Sequence, residues 1–203
     1  MKIKEFIKEY TKIYPSKGFY NQFRDRVPPA DRFSVATKQM IDSMEEKLGY
    51  RLPLSFQEFL MEFSNGILLL GWEPIGGVGE DSPCGKICTV NRIIPDVPEE
   101  VLIEETGELV ESNRLISLTT FDGGESTNDH WVFICEDGIP NNEYRLGYIG
   151  QTCKSIVKVV DNFEAWLEIF WEGNKDPEQA RPTFHVLYPD YDERGKILYE
   201  FLR

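Results

Sequence analysis

The chain has 203 residues, 41% of them apolar and 13% aromatic, enough for a packed core without disulfides or metals and too apolar for a disordered segment. Asp and Glu number 35 against 22 Lys and Arg, a formal charge of −13. A field of that sign repels phosphate backbones, so no nucleic-acid partner is expected, and it favours association with basic proteins.

The start, Met1-Lys2-Ile3-Lys4-Glu5-Phe6, has mixed charge and no apolar leader core. No apolar run along the chain approaches the roughly 18 residues of a membrane span. A cytoplasmic protein with no membrane contact is therefore expected, and Cys84, Cys88, Cys135 and Cys153 read as thiols rather than as a disulfide framework.

Ile3, Phe6, Ile7, Tyr10 and Tyr14 recur at helical spacing and stop before Pro15. The stretch that follows, with Gly18, Pro28 and Pro29, is loop-like, so residues 1–34 are expected to form an N-terminal helical extension. Thr37 is placed to cap a helix with Met40, Ile41, Met44 and Leu48 on its apolar stripe, and Gly49 to close it. Leu52-Pro53 opens a second helix that buries Phe56, Phe59, Leu60 and Phe63 and ends at Asn65-Gly66.

Short strands and turns follow. Residues 67–70 read as a strand, 73–86 as a Gly- and Pro-rich loop, 88–94 as a strand and 98–111 as a helix carrying Val101, Leu102, Glu105 and Leu109. Strands are expected at 115–119 and 131–135, joined through the turn-forming Phe121-Asp122-Gly123-Gly124-Glu125, and again at 145–149 and 156–160. Asp161 or Asn162 caps a helix burying Phe163, Trp166, Leu167 and Phe170, stopped by Glu172-Gly173-Asn174. Ile197, Leu198, Phe201 and Leu202 suggest a last amphipathic helix, docked on the domain, within a C-terminal extension of residues 174–203. Helices at both ends with strands between them, and no regular β-α alternation, give an α+β fold class.

The run Leu48-Gly49-Tyr50-Arg51-Leu52-Pro53-Leu54-Ser55-Phe56-Gln57-Glu58-Phe59-Leu60, then Asn65-Gly66, resembles the SUKH superfamily in its Smi/Knr branch. Ile41 and Glu45 match the earlier part of that pattern. Residues 116–121, the turn Asp122-Gly123-Gly124-Glu125 and residues 131–136 resemble its strand, acidic turn and strand, and Asn162-Phe163-Glu164-Ala165-Trp166-Leu167 its closing helix. The insertion of residues 126–129 departs from the pattern, and both ends lie outside it. The resemblance implies a SUKH domain over residues 35–173, with helices packed on a mixed, mainly antiparallel sheet. It also implies a bacterial immunity protein that binds and neutralises a protein toxin, often a nuclease, or a regulatory scaffold protein of the fungal type. It carries no catalytic residues, and no cofactor.

Several features of the sequence bear on chemistry. Asp122-Gly123-Gly124-Glu125 could approach a metal or phosphate, but no Gly-Lys-Ser/Thr follows and its carboxylates oppose an anion, so a turn is the plainer reading. Gly76-Gly77-Val78-Gly79 lacks the strand, spacing and helix of a nucleotide loop and reads as a flexible surface loop. Cys84 and Cys88 have a spacing that zinc accepts, but Cys135, Cys153 and His130 supply no second pair. His130 and His185 are the only histidines, and no Gly-x-Ser-x-Gly surrounds Ser126.

What remains is surface charge. Glu99, Glu100, Glu104, Glu105, Glu108 and Glu111, with Asp96, form the densest acidic cluster. On a helix Glu104, Glu108 and Glu111 would share a face, fit to dock a basic partner. Trp72, Glu73, Glu80 and Asp81 in the preceding loop, and Asp122, Glu125 and Asp129 in the later turn, complete the expected partner-binding set. Asp190, Asp192 and Glu193 with Tyr188 and Tyr191 form a second acidic, aromatic group. No catalytic or metal-ligating residue is expected, and oligomeric state is not legible.

Overall fold

The apolar stripe read at the start of the chain is buried. In α1 (Ile3–Ile13), Ile3, Phe6 and Tyr10 lie within the same core as the later helices. Phe6 meets Phe63 edge-on at 5.2 Å between ring centroids and Trp171 at 5.3 Å, and Trp171 Nε1 donates to Glu9 Oε2 at 2.7 Å. This computed structural model describes residues 1–13, 34–69, 73–80, 82, 84–94, 96–119, 130–150, 154–175 and 187.

The two-helix elbow follows its local signals. Thr37 Oγ1 accepts from Met40 N at the start of α2 (Lys38–Leu48), and Gly49, at φ 76°, closes it with its N–H on Glu45 O. Pro53 precedes α3 (Leu54–Glu62) and has no side chain with which to cap it. The cap arrives from far along the chain. Ser55 N donates to Glu143 Oε1 at 2.8 Å and Ser55 Oγ to Glu143 Oε2 at 2.7 Å, which puts a carboxylate at the positive end of the helix. Glu45, 4% exposed, holds the elbow itself. It accepts from Leu52 N at 2.8 Å, Gln57 Nε2 at 3.1 Å and the Arg51 guanidinium at 2.6 Å.

Next, β1 (Ile67–Leu69) and β2 (Glu73–Ile75) make a two-stranded antiparallel sheet. The main sheet contains β3 (Glu100–Ile103), β4 (Glu108–Glu111), β5 (Leu115–Ser117), β6 (His130–Ile134), β7 (Leu146–Ile149) and β8 (Ser155–Val160), in the order β4-β3-β8-β7-β6-β5. All its neighbours are antiparallel except β3 and β8, which run parallel. α4 (Phe163–Asn174) follows, capped by Asn162 Oδ1 on Ala165 N at 2.9 Å. This is the expected α+β fold, with helices on a mixed, mainly antiparallel sheet.

One face of the sheet packs Trp131, Phe133, Leu146 and Tyr148 against the helices. The other face packs Val101, Ile103, Val132, Ile134, Ile149 and Ile156 under Val90 and Ile94. Strand β6 is buried at every position because it serves both cores.

Three expectations are corrected. Residues 98–111 form the hairpin β3–β4, not a helix: burial alternates along β3, and Gly107, at φ 73°, closes the turn between the strands. Residues 88–94 form no strand. Thr89 makes one isolated bridge to Ile116, and a 3₁₀ turn at Val90–Arg92 then folds Val90 over the second core. The 73–86 loop begins with β2. Its Gly76-Gly77-Val78 segment is not a loose surface loop but buried, with Val78 fully inaccessible.

Leu187 is also buried in the larger core. The expected terminal helix around residues 197–202, the Asp190, Asp192, Glu193, Tyr188 and Tyr191 group, and His185 lie outside the described residues.

Candidate functional site

The acidic cluster is a β-hairpin at one end of the sheet order. Its register pairs Glu100 with Glu111, Val101 with Val110, Leu102 with Leu109 and Ile103 with Glu108. Side chains alternate across a strand, so Val101, Ile103 and Val110 face the second core while Glu100, Leu102, Leu109 and Glu111 share the outer face. Leu102 is 38% and Leu109 58% exposed, and they are cross-strand neighbours. The outer face is thus an apolar pair beside two carboxylates that oppose each other across the ladder. Opposed like charges at about 4.5–5.5 Å between Cβ atoms cost stability, and neither leucine gains by being there. Sequence reading missed this pair because it placed both leucines on a helix; the signal that finds them is the alternation of apolar positions at 101, 103 and 110.

The six glutamates divide into two sets. Three are tied to the sheet: Glu104 Oε1 accepts from Ser155 Oγ at 2.5 Å, Glu105 Oε1 from Lys158 Nζ at 3.0 Å, and Glu108 Oε2 from Arg145 at 3.0 Å. Arg145 also donates from Nε to Glu136 Oε1 at 2.9 Å, so one guanidinium joins the hairpin to the body of the domain. Glu99, Glu100 and Glu111, all exposed, have no ion pair among the described residues. The carboxylates outside any ion pair among the described residues therefore gather at the end of the hairpin away from its turn, where Arg114 is near enough to feel the charge of Glu111.

The other expected contact residues are not gathered with it. Glu73 lies buried on β2, 3% exposed, and offers little surface. Glu80 is exposed and holds Lys86 Nζ at 2.7 Å, and that bond keeps its carboxyl below the usual range. Both belong with β1 and β2, which meet the main sheet beside β5 through the Ile75–Thr119 bridge, at the opposite end of the strand order from β4. Trp72, Asp81, Asp122, Glu125 and Asp129 lie outside the described residues.

The groups weighed for chemistry have structural surroundings. Burial pushes the Cys84 thiol up to about 11 and the Cys135 thiol up to about 12. Cys88 is also raised by burial, against a hydrogen bond from Ser117. Cys153 lies outside the described residues. Among the described residues no three His, Cys, Asp or Glu side chains converge as metal ligands. His130 is buried at the start of β6 with Nδ1 at 3.2 Å from Thr119 O. No helix among the described residues is long and apolar enough to cross a membrane.

A groove beside the elbow is lined by Asp42, Glu45, Glu46, Gly49, Tyr50 and Arg51. Of its charged lining residues Arg51 alone is a cation, held by Glu45 and 3.9 Å from Asp42, so the lining keeps a net negative charge.

The model of the SMI1 / KNR4 family (SUKH-1) matches residues 35–169. No curated protein and no solved structure matches the chain.

Proposed function

The chain belongs to the SMI1 / KNR4 family (SUKH-1), and from that premise we propose that it is a non-catalytic immunity protein that neutralises a basic protein toxin by covering it with the β3–β4 hairpin. The observation that carries this reading is the outer face of the hairpin: exposed Leu102 and Leu109 beside the opposed Glu100 and Glu111. A nuclease fits best as the toxin, because a groove that binds a phosphate backbone is basic. Carboxylates steer such a groove toward the hairpin, and the leucines slow its departure once water is excluded. Burying each leucine contributes roughly 1–2 kcal/mol.

The set without ion pairs among the described residues, Glu99, Glu100 and Glu111, supplies the steering, while Glu104, Glu105 and Glu108 hold the hairpin on the domain. The test uses the protein encoded beside this chain's own reading frame. Replacing Glu99, Glu100 and Glu111 together by Gln lowers the association rate constant and flattens its dependence on ionic strength. Leu109→Ala leaves association alone and speeds dissociation. Association of the triple variant at wild-type rate from low to high salt rules out this face. A neighbouring product that neither binds nor is inhibited leaves the regulatory scaffold as the better reading.

A further inference from the structure

Strand β4 is the last in the sheet order, and among the described residues no strand pairs with its far side. The parity of its backbone follows from two bonds. Ser112 N donates to Glu99 O at 2.8 Å, which makes that pair hydrogen-bonded across the hairpin. Bonded and non-bonded pairs alternate along an antiparallel ladder, so Val101 and Val110 are bonded to each other while residues 100, 102, 109 and 111 point their N–H and C=O away from the partner strand. On the β3 side that direction is occupied: Glu104, of the same parity, donates to Ile156 O at 3.0 Å in the pairing with β8. On the β4 side no strand among the described residues occupies it, and Leu109 and Glu111 present their backbone groups there.

From this geometry we infer that the hairpin binds its partner by strand addition, taking an extended basic segment along β4 with Lys or Arg beside Glu111 and an apolar residue beside Leu109. The inference rests on the hairpin being the contact face and adds how that face is used. A second copy of the chain is the wrong occupant. Pairing β4 with itself sets Glu108 and Glu111 of one copy among those of the other, and such charge blocks edge-to-edge association. Edge protection alone does not account for the strand, because a protected edge has no use for a leucine 58% exposed beside another 38% exposed. A segment with alternating basic and apolar side chains meets both features at the pleat spacing of a strand.

The experiment uses the whole chain and a peptide, Arg-Val-Leu-Val-Arg, blocked at both ends, which reads the same in either direction of approach. Glu111 has φ −60°, the value proline fixes, and its N–H points outward, so Glu111→Pro removes one outward donor without disturbing the hairpin's own bonds. Glu111→Gln removes the charge alone. The peptide is expected to shift the amide resonances of residues 108–111. Glu111→Pro is expected to bind it about tenfold more weakly than Glu111→Gln, and N-methylation of the peptide's leucine to weaken binding to the unaltered protein likewise. Equal binding by Glu111→Pro and Glu111→Gln, with N-methylation harmless, overturns strand addition while leaving a charge-steered face intact. No shift with wild type, or a dimer formed through β4, overturns it as well.

Discussion

Asn65 grips Val78 with both ends of its amide: Nδ2 donates to Val78 O at 2.8 Å, and Val78 N donates to Oδ1 at 2.7 Å. Asn65, in the bend between α3 and β1, thereby fixes the turn after β2, thirteen residues on. Gly77 lies under this clamp, where an added Cβ would sit 2.6 Å from Asn65 O and Oδ1. Asn65→Ala leaves a buried N–H and a buried C=O without partners and is expected to cost about 2–4 kcal/mol. Gly77→Ala displaces the clamp and is expected to cost about 1–3 kcal/mol. Urea unfolding checks both, and wild-type midpoints would refute the clamp.

Glu45 performs the same service at the elbow between α2 and α3. Its buried carboxylate takes the Leu52 N–H and the Gln57 amide, while Arg51, on the surface, closes one side. Glu45→Ala strands the buried Leu52 N–H and takes one of two acceptors from the Gln57 amide, which keeps Leu52 O, and is expected to cost about 3 kcal/mol. Arg51→Ala removes only the exposed partner and is expected to move the thermal midpoint little. If the two variants melt alike, the buried donors are not what the carboxylate is for.

These two residues also show what a sequence makes legible. The elbow was readable because its signals are local: Thr37 three residues before the amide it caps, Gly49 at a left-handed position and Pro53 before a helix; the helix itself stops at Glu62, short of the Asn65-Gly66 expected to end it. The hairpin was not, because Val101, Leu102, Glu105 and Leu109 match a helical period by coincidence. What selects the strands is distant, namely the parallel pairing of β3 with β8 and the cover of Val90 and Ile94. The Gly76-Gly77-Val78 turn looked loose for a similar reason, since its glycines are there for close approach to Asn65 and not for freedom. Of the site, the carboxylates were visible as composition. The leucine pair emerged only once the register showed which face each strand residue takes.

Arg145 is the strut of that site. It reaches Glu108 on β4 and Glu136 after β6, at the mouth of the β6–β7 pair. Arg145→Met keeps most of the stem's packing and loses both contacts. Amide hydrogen exchange in residues 100–111 is expected to quicken several-fold while exchange in β6 and β7 stays slow, as for a unit that opens by itself. Uniform acceleration across the sheet would show that Arg145 supports the whole domain rather than the hairpin.

The buried thiol of Cys135 sets an alkaline limit. Burial raises it from an ordinary 9.0 to about 12, so between those values the unfolded chain ionises while the folded one keeps its proton. The folded state then binds more protons than the unfolded, and stability falls as pH rises. The thiol's contribution is whole below pH 9 and is lost toward pH 12, at a slope of about 1.4 kcal/mol per pH unit for one group. Cys84, raised to about 11, adds to the same slope over a narrower window. Cys135→Ala is expected to lower stability at pH 7 through the lost packing and to flatten the decline between pH 9 and 11, measured by urea unfolding at each pH. At pH 8 Cys135 should resist a thiol-specific disulfide reagent until the protein unfolds, because its thiolate is scarce and its sulfur inaccessible. Fast modification of Cys135 in the folded protein, or an alkaline slope unchanged in Cys135→Ala, contradicts the burial of this thiol in the wall of the core.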